Sequence, residues 1–158
     1  MMNNIQDNIL ITKEGFQSLK EEHLHLTKVK RPAIVARLTE SRQGGDLAEN
    51  SEYLQAKEEL VFIDGRISEL EEVLEKATLV SIKSGPKNKI DLGCRVTLSN
   101  GKKEQVFHLV GEWEADPVKQ KISHTSPLGQ LLLGRKVGEE FEFEAPAGKI
   151  LYRIVKIE

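Results

Sequence analysis

A chain of 158 residues, 39% hydrophobic and 30% charged, has material for one ordinary domain or two small ones with a real core. Its net charge of −2 excludes a strongly basic nucleic-acid binder, and a single cysteine, Cys94, excludes an internal disulfide framework or a Cys-paired zinc site. The start, MMNNIQDNIL, is neither basic nor apolar for long, and no run approaches the roughly 20 apolar residues of a membrane span; no signal peptide and a cytoplasmic location are expected.

Thr12 can cap a first helix, with Phe16, Leu19, Leu26 and Val29 at helical spacing. Pro32 predicts a bend or break, after which Ile34, Val35 and Leu38 take over. The glycine pair Gly44–Gly45 predicts the turn of an antiparallel hairpin. The second helix carries the strongest period: Leu60, Ile63, Ile67, Leu70, Leu74 and Ala77 alternate steps of three and four, the seam of a coiled coil. Run from Asp46 to Ala77, it would extend on the order of 48 Å, a rod too thin for an enzyme cleft.

Continued backwards, the seam passes through Ala56, Tyr53, Glu49 and Asp46, which places two acids one turn apart on one exposed face. The ordinary reading of Asp46 is a helix cap; capping does not account for Glu49. Glu52 lies off the stripe and reads as a surface charge. Two such carboxylates can share one hard cation, because magnesium takes oxygen ligands, uses one or two carboxylates and keeps its waters. They cannot complete an octahedral site alone.

Beyond a joint near Thr78–Val80 the pattern changes. Up to Thr78 there are 10 Lys+Arg against 15 Asp+Glu; the remainder has 13 against 10 and most of the prolines. CRVTLSNGKKEQVFHLV reads as a hairpin around Asn100–Gly101 and EEFEFEAPAGKILYRIVKI as a second through Pro146 and Gly148. SPLGQLLLG reads as a short helix capped by Ser126, with Pro127 in its first turn and Gly134 at its end. The expected architecture is α+β: an N-terminal antiparallel coiled-coil hairpin, 1–79, followed by a small β-rich domain, 80–158. The four histidines lack metal-ligand spacing. Cys94 reads as a small buried hydrophobe on a strand and Trp113 as packed at a turn edge.

GDLAENSEY, followed by QAKEE, resembles the tip motif of the bacterial transcript cleavage factors of the GreA/GreB family. Arg31–Pro32, FIDGRISELEEVL and SPLGQLLLGRKVGEEFEFEAPAGK extend the resemblance over nearly the whole chain. The resemblance implies a factor that binds bacterial RNA polymerase, passes its coiled coil through the secondary channel and stimulates cleavage of backtracked nascent RNA. Asp46 and Glu49 would then help hold a magnesium ion jointly with the polymerase, so the chain is not itself an enzyme. By the same resemblance Gly45, Asn50 and Tyr53 shape the tip, Arg42 and Lys57 steer RNA, and Ser126 and Pro127 dock an FKBP-like domain on the polymerase. Thr125 stands where relatives more often have Asp or Asn. A monomer is expected.

Three rivals follow. An FKBP-like prolyl isomerase would use Phe107, Trp113, Phe141, Phe143 and Tyr152 as a pocket. A chaperone would carry an apolar tip, whereas this tip is acidic. An inhibitory relative would occupy the same channel without promoting cleavage, and the intact Asp46 and Glu49 argue against it.

Overall fold

The computed structural model describes residues 8–46, 49–80 and 87–158. Contacts divide the chain into two units, Phe16–Ala77 on one side and the start through Gly15 with Thr78–Glu158 on the other. Composition alone places a division at 79/80; the contacts additionally assign the beginning of the chain to the β-rich unit.

The helical unit is a hairpin of two arms. The first contains α1 (Lys13–His25) and α2 (Arg31–Ser41), joined by a π-helical turn over Leu26–Lys30. Of the bend or break expected at Pro32, the break does not occur, because the arm stays helical through it. His25, Lys30 and Arg31 all keep right-handed helical dihedrals, and the Arg31 N–H donates to the Leu26 carbonyl. The turn widens by one residue just before Pro32, where an α-helical turn would drive the ring into the preceding carbonyl. The second arm is α3 (Ser51–Lys76), 26 residues or about 39 Å long.

Leu19, Leu26 and Ile34 on the first arm and Ala56, Ile63, Ile67, Leu70 and Val73 on the second are buried. The seam therefore follows the sequence periodicity up to Leu70, after which Val73 takes the buried place and Leu74 is half-buried. Ion pairs fix the antiparallel register: His23–Glu71 at 3.0 Å, Arg31–Asp64 at 2.6 Å and Arg37–Glu59 at 2.9 Å step down one arm as they climb the other. Their partners are largely exposed, so they select a register more than they stabilise the fold.

In the β-rich unit, β1 (Ile9–Ile11) pairs with β2 (Ala77–Leu79), so the expected joint is itself a strand. The main sheet contains β3 (Arg95–Ser99), β4 (Glu104–Val110), β5 (Lys121–Ser123), β6 (Glu140–Ala145) and β7 (Gly148–Ile157), ordered β5-β4-β3-β7-β6. Only β4 and β5 run parallel; the other pairs are antiparallel. The first hairpin closes through four residues rather than an Asn-Gly pair alone: Asn100 Oδ1 accepts from the Lys102 and Lys103 N–H groups, with Gly101 at φ 88°. One face of the sheet and α4 (Pro127–Leu132) enclose a core that includes Val96, Leu98, Leu109, Leu132 and Ile154. Phe141 and Tyr152 are buried in this core, and Phe107 and Phe143 pack on it, so four of the five aromatics that a prolyl isomerase would need are consumed by packing. Cys94 is buried beside them just ahead of β3.

Glu114 ties the start of the chain to this unit. Its carboxylate accepts from the Thr12 N–H at 2.9 Å, from the Gly111 N–H at 3.0 Å and from the Thr12 hydroxyl. The Thr12 oxygen in turn accepts from the Gly15 N–H, capping α1 as the sequence predicts. A Cβ at Gly15 would lie 2.0 Å from a Glu114 oxygen, so any larger residue there must displace the carboxylate from Thr12 and Gly111. Glu114→Ala leaves Thr12 and Gly111 donors unmatched, and should lower unfolding free energy by about 1–3 kcal/mol. A shifted denaturant midpoint at unchanged slope is the expected readout.

Candidate functional site

The closed end of the hairpin gathers the polar residues that the sequence singles out. After α2 the chain makes a 3₁₀ turn, Arg42–Gly44, and reaches Gly45 at φ 109°, a left-handed value that a side chain would strain. Asp46 and Glu49 follow in irregular backbone, both exposed; Leu47 and Ala48 of the motif lie outside the described residues.

Here the structure corrects the sequence. Asp46 does not begin or cap the second helix, and Asp46 and Glu49 are not a turn apart on its seam. The cap is Asn50, at φ −84° and ψ 99°, whose Oδ1 accepts from the Tyr53 N–H at 3.1 Å. The same side chain donates through Nδ2 to the Ser41 carbonyl at 2.6 Å. One amide thus closes the end of one arm onto the start of the other, a double role that aspartate, lacking a donor, cannot fill. The helix begins after the acids, which leaves them on the loop.

Asp46, Glu49 and Asn50 line one hollow of about 870 Å³ together with Glu40, Glu52 and Arg37. Glu52, an isolated surface charge by sequence, belongs to this wall. Glu40 was not singled out at all, although it carried a signal: an acid in the last turn of a helix opposes the partial negative charge of that end. The one guanidinium in the wall, Arg37, is held by both oxygens of Glu59 at 2.9 and 3.4 Å. Arg42 lies 5.8 Å over the Tyr53 ring, and Lys57 is exposed one turn further along α3.

Ser126 and Pro127 sit in the β-rich unit. The Ser126 hydroxyl accepts from the Gly129 N–H at 3.1 Å and donates to the Ser123 carbonyl at 2.6 Å, which fixes the start of α4. Pro127 is exposed, and the neighbouring Thr125 hydroxyl lies 2.7 Å from Ser123 Oγ.

Chemically, the tip offers carboxylate oxygens suited to a hard divalent cation. Among the described residues no three His, Cys, Asp or Glu side chains converge as a ligand set. The His23 imidazole is taken by Glu71 within the hairpin. Also among the described residues, no helix is long and apolar enough to cross a membrane.

These features define a two-unit α+β protein in which a helical hairpin displays a loop of acids. The family model described as "Transcription elongation factor, N-terminal" matches residues 9–79, and that described as "Transcription elongation factor, GreA/GreB, C-term" matches residues 85–158. The transcription elongation factor GreA of Thermodesulfovibrio yellowstonii is 43% identical over 153 residues, covering 96% of this chain and 97% of that protein. That of Bacillus subtilis is 43% identical over 150 residues, covering 93% and 94%. Among solved structures, the GreA factor homolog Gfh1 of Thermus thermophilus is 28% identical with a TM-score of 0.44, covering 96% of this chain and 98% of that one. The chain belongs to the GreA/GreB family of transcription elongation factors.

The clamp yields a stability prediction that separates the tip residues. Asn50→Ala should lower stability by about 0.5–2 kcal/mol, as loss of an N-cap does. Asp46→Asn and Glu49→Gln, on exposed loop positions, should stay within about 0.5 kcal/mol of the parent. Thermal melts of the three variants read the difference.

Proposed function

We propose that this chain binds bacterial RNA polymerase, enters its secondary channel with the helical hairpin and stimulates the polymerase to cleave backtracked RNA. The observation that carries this reading is the placement of Asp46 and Glu49: both are exposed on a loop that Asn50 pins at the closed end of the hairpin. A family of elongation factors supplies the context.

Asp46 and Glu49 each present oxygens that can complete the coordination of a magnesium ion otherwise held by the polymerase. Such an ion, when bound, lowers the pKa of an attacking water and offsets charge on the scissile phosphate. Asn50 fixes where the loop ends, and Gly45 supplies the left-handed turn by which it leaves the first arm. Arg42 and Lys57 attract the phosphates of the extruded RNA, a local field that the net charge of −2 does not cancel because screening acts over about 10 Å. Ser126 and Pro127 contact the polymerase surface. This chain contributes ligands and position, and the bond is cut in the polymerase.

A backtracked elongation complex with labelled RNA tests the proposal. Asp46→Asn and Glu49→Gln keep shape and remove charge, and each should slow stimulated cleavage by about 10–100-fold while polymerase binding persists. Raised magnesium should restore part of the rate, since mass action refills a weakened site. Normal cleavage by both variants would refute the metal role.

A further inference from the structure

The segment Asp116–Lys121 holds one apolar side chain out of the fold. Val118 is 92% exposed, more than any other large hydrophobic residue described. A single exposed valine is ordinary; the way this one is held is not. Pro117 fixes its own φ, and the Asp116 carboxylate accepts from the Val118 N–H at 3.1 Å. Asp116 and Lys121 exchange both backbone hydrogen bonds, at 2.9 and 3.0 Å. Gln120 closes the turn at φ 55°, in the left-handed region that a non-glycine residue enters at a cost. A strained, pinned turn presents a side chain from which the fold gains nothing.

The flank of the turn is basic. Lys119 adjoins Val118, and Lys121 pairs across the sheet with His108, which pairs with Arg95. Lys121 and Arg95 therefore stand on either side of His108, on strands that flank its own. Among the described residues no ion pair joins Lys119, Lys121 or Arg95 to a carboxylate. Glu14, Glu114 and Glu158 border the same small hollow. Glu114 is engaged by Thr12 and Gly111, and Glu158 by Lys156. Burial, followed by the charges of Arg95 and Lys121, pushes His108 below its usual pKa, with Glu14 alone opposing. The formal positive charges beside Val118 are therefore those of Lys119 and Lys121, and the carboxylates that border the hollow keep their own charge. From Lys121, β5 runs directly into the Ser123–Pro127 segment, so the turn and that segment lie at the two ends of one three-residue strand, about 10 Å long.

We propose that the Val118 turn is a second docking element of the β-rich unit, with Val118 seated in an apolar pocket of RNA polymerase whose acidic rim meets Lys119 and Lys121. This rests on the polymerase reading above, and extends the Ser126–Pro127 contact along β5. A protein fits better than RNA, because valine offers neither a stacking face for a base nor a donor for a phosphate. An apolar side chain ringed by charge is the usual anatomy of a protein interface centre and rim.

The test uses the full-length chain, purified RNA polymerase and a titration of stimulated cleavage on a stalled complex. Val118→Asp should weaken polymerase binding about tenfold and Val118→Ser about threefold, the range expected for losing one seated side chain. Both should melt with the parent, since the side chain is solvent-exposed. The concentration giving half-maximal cleavage should rise by the same factors, with the plateau retained at saturation. Asp46→Asn should show the reverse, tight binding with a lost plateau. A parent chain that binds and cleaves while Val118→Asp binds as tightly overturns the docking element alone. A parent that fails to bind polymerase overturns both readings. Loss of affinity confined to Lys119→Glu and Lys121→Glu, and matched on free single-stranded RNA, assigns the surface to RNA and also overturns it.

Discussion

The Asn50 side chain makes two hydrogen bonds in opposite directions, and the tip depends on both. Accepting from Tyr53 starts α3, and donating to Ser41 closes α2 onto it. Between the two bonds the chain passes through Gly45, at a φ of 109° that glycine tolerates. The carboxylates of Asp46 and Glu49 are therefore displayed by what bounds the loop rather than by helical periodicity. A helix that began at Asp46 would have turned Glu49 toward the seam and spent Asp46 on the cap.

Sequence periodicity was a reliable guide wherever burial on one face was the cause. The seam of α3, the two β-hairpins and the capped start of α4 lie where the apolar spacing and turn residues put them. It failed where two residues could do one job. Asp46 and Asn50 are both favoured caps, and only the donor needed by the Ser41 carbonyl, nine residues earlier, decides between them. Pro32 carries a local prohibition with two resolutions, a break or a widened turn, and the continuous packing of Leu26 and Ile34 accompanies the second.

Site legibility divides along the same line. Asp46 and Glu49 stood out through their spacing and the family resemblance. Glu40, Glu52 and Arg37 join them only once the two arms are brought side by side. Glu114 is more distant still, reaching Thr12 across 102 positions. Its signature in the sequence is indirect: a Cβ at Gly111 would lie 2.1 Å from the Leu10 carbonyl, and one at Gly15 would push the Glu114 carboxylate aside.

Net charge conceals how the molecule divides its electrostatics. The segment through Thr78 carries the excess of acids and the remainder the excess of bases. Within the hairpin the arginines at positions 31, 37 and 66 are bound to carboxylates of the opposite arm, and Glu40, Asp46, Glu49 and Glu52 gather around one hollow at the tip. In the β-rich unit Arg95, His108 and Lys121 stand in a row across three strands. Four carboxylates around one hollow repel one another and oppose folding locally, next to the hairpin end that Asn50 clamps. Local rules are broken where the chain is proposed to meet its partner: acids gathered at the tip, and an exposed valine flanked by Lys119 and Lys121.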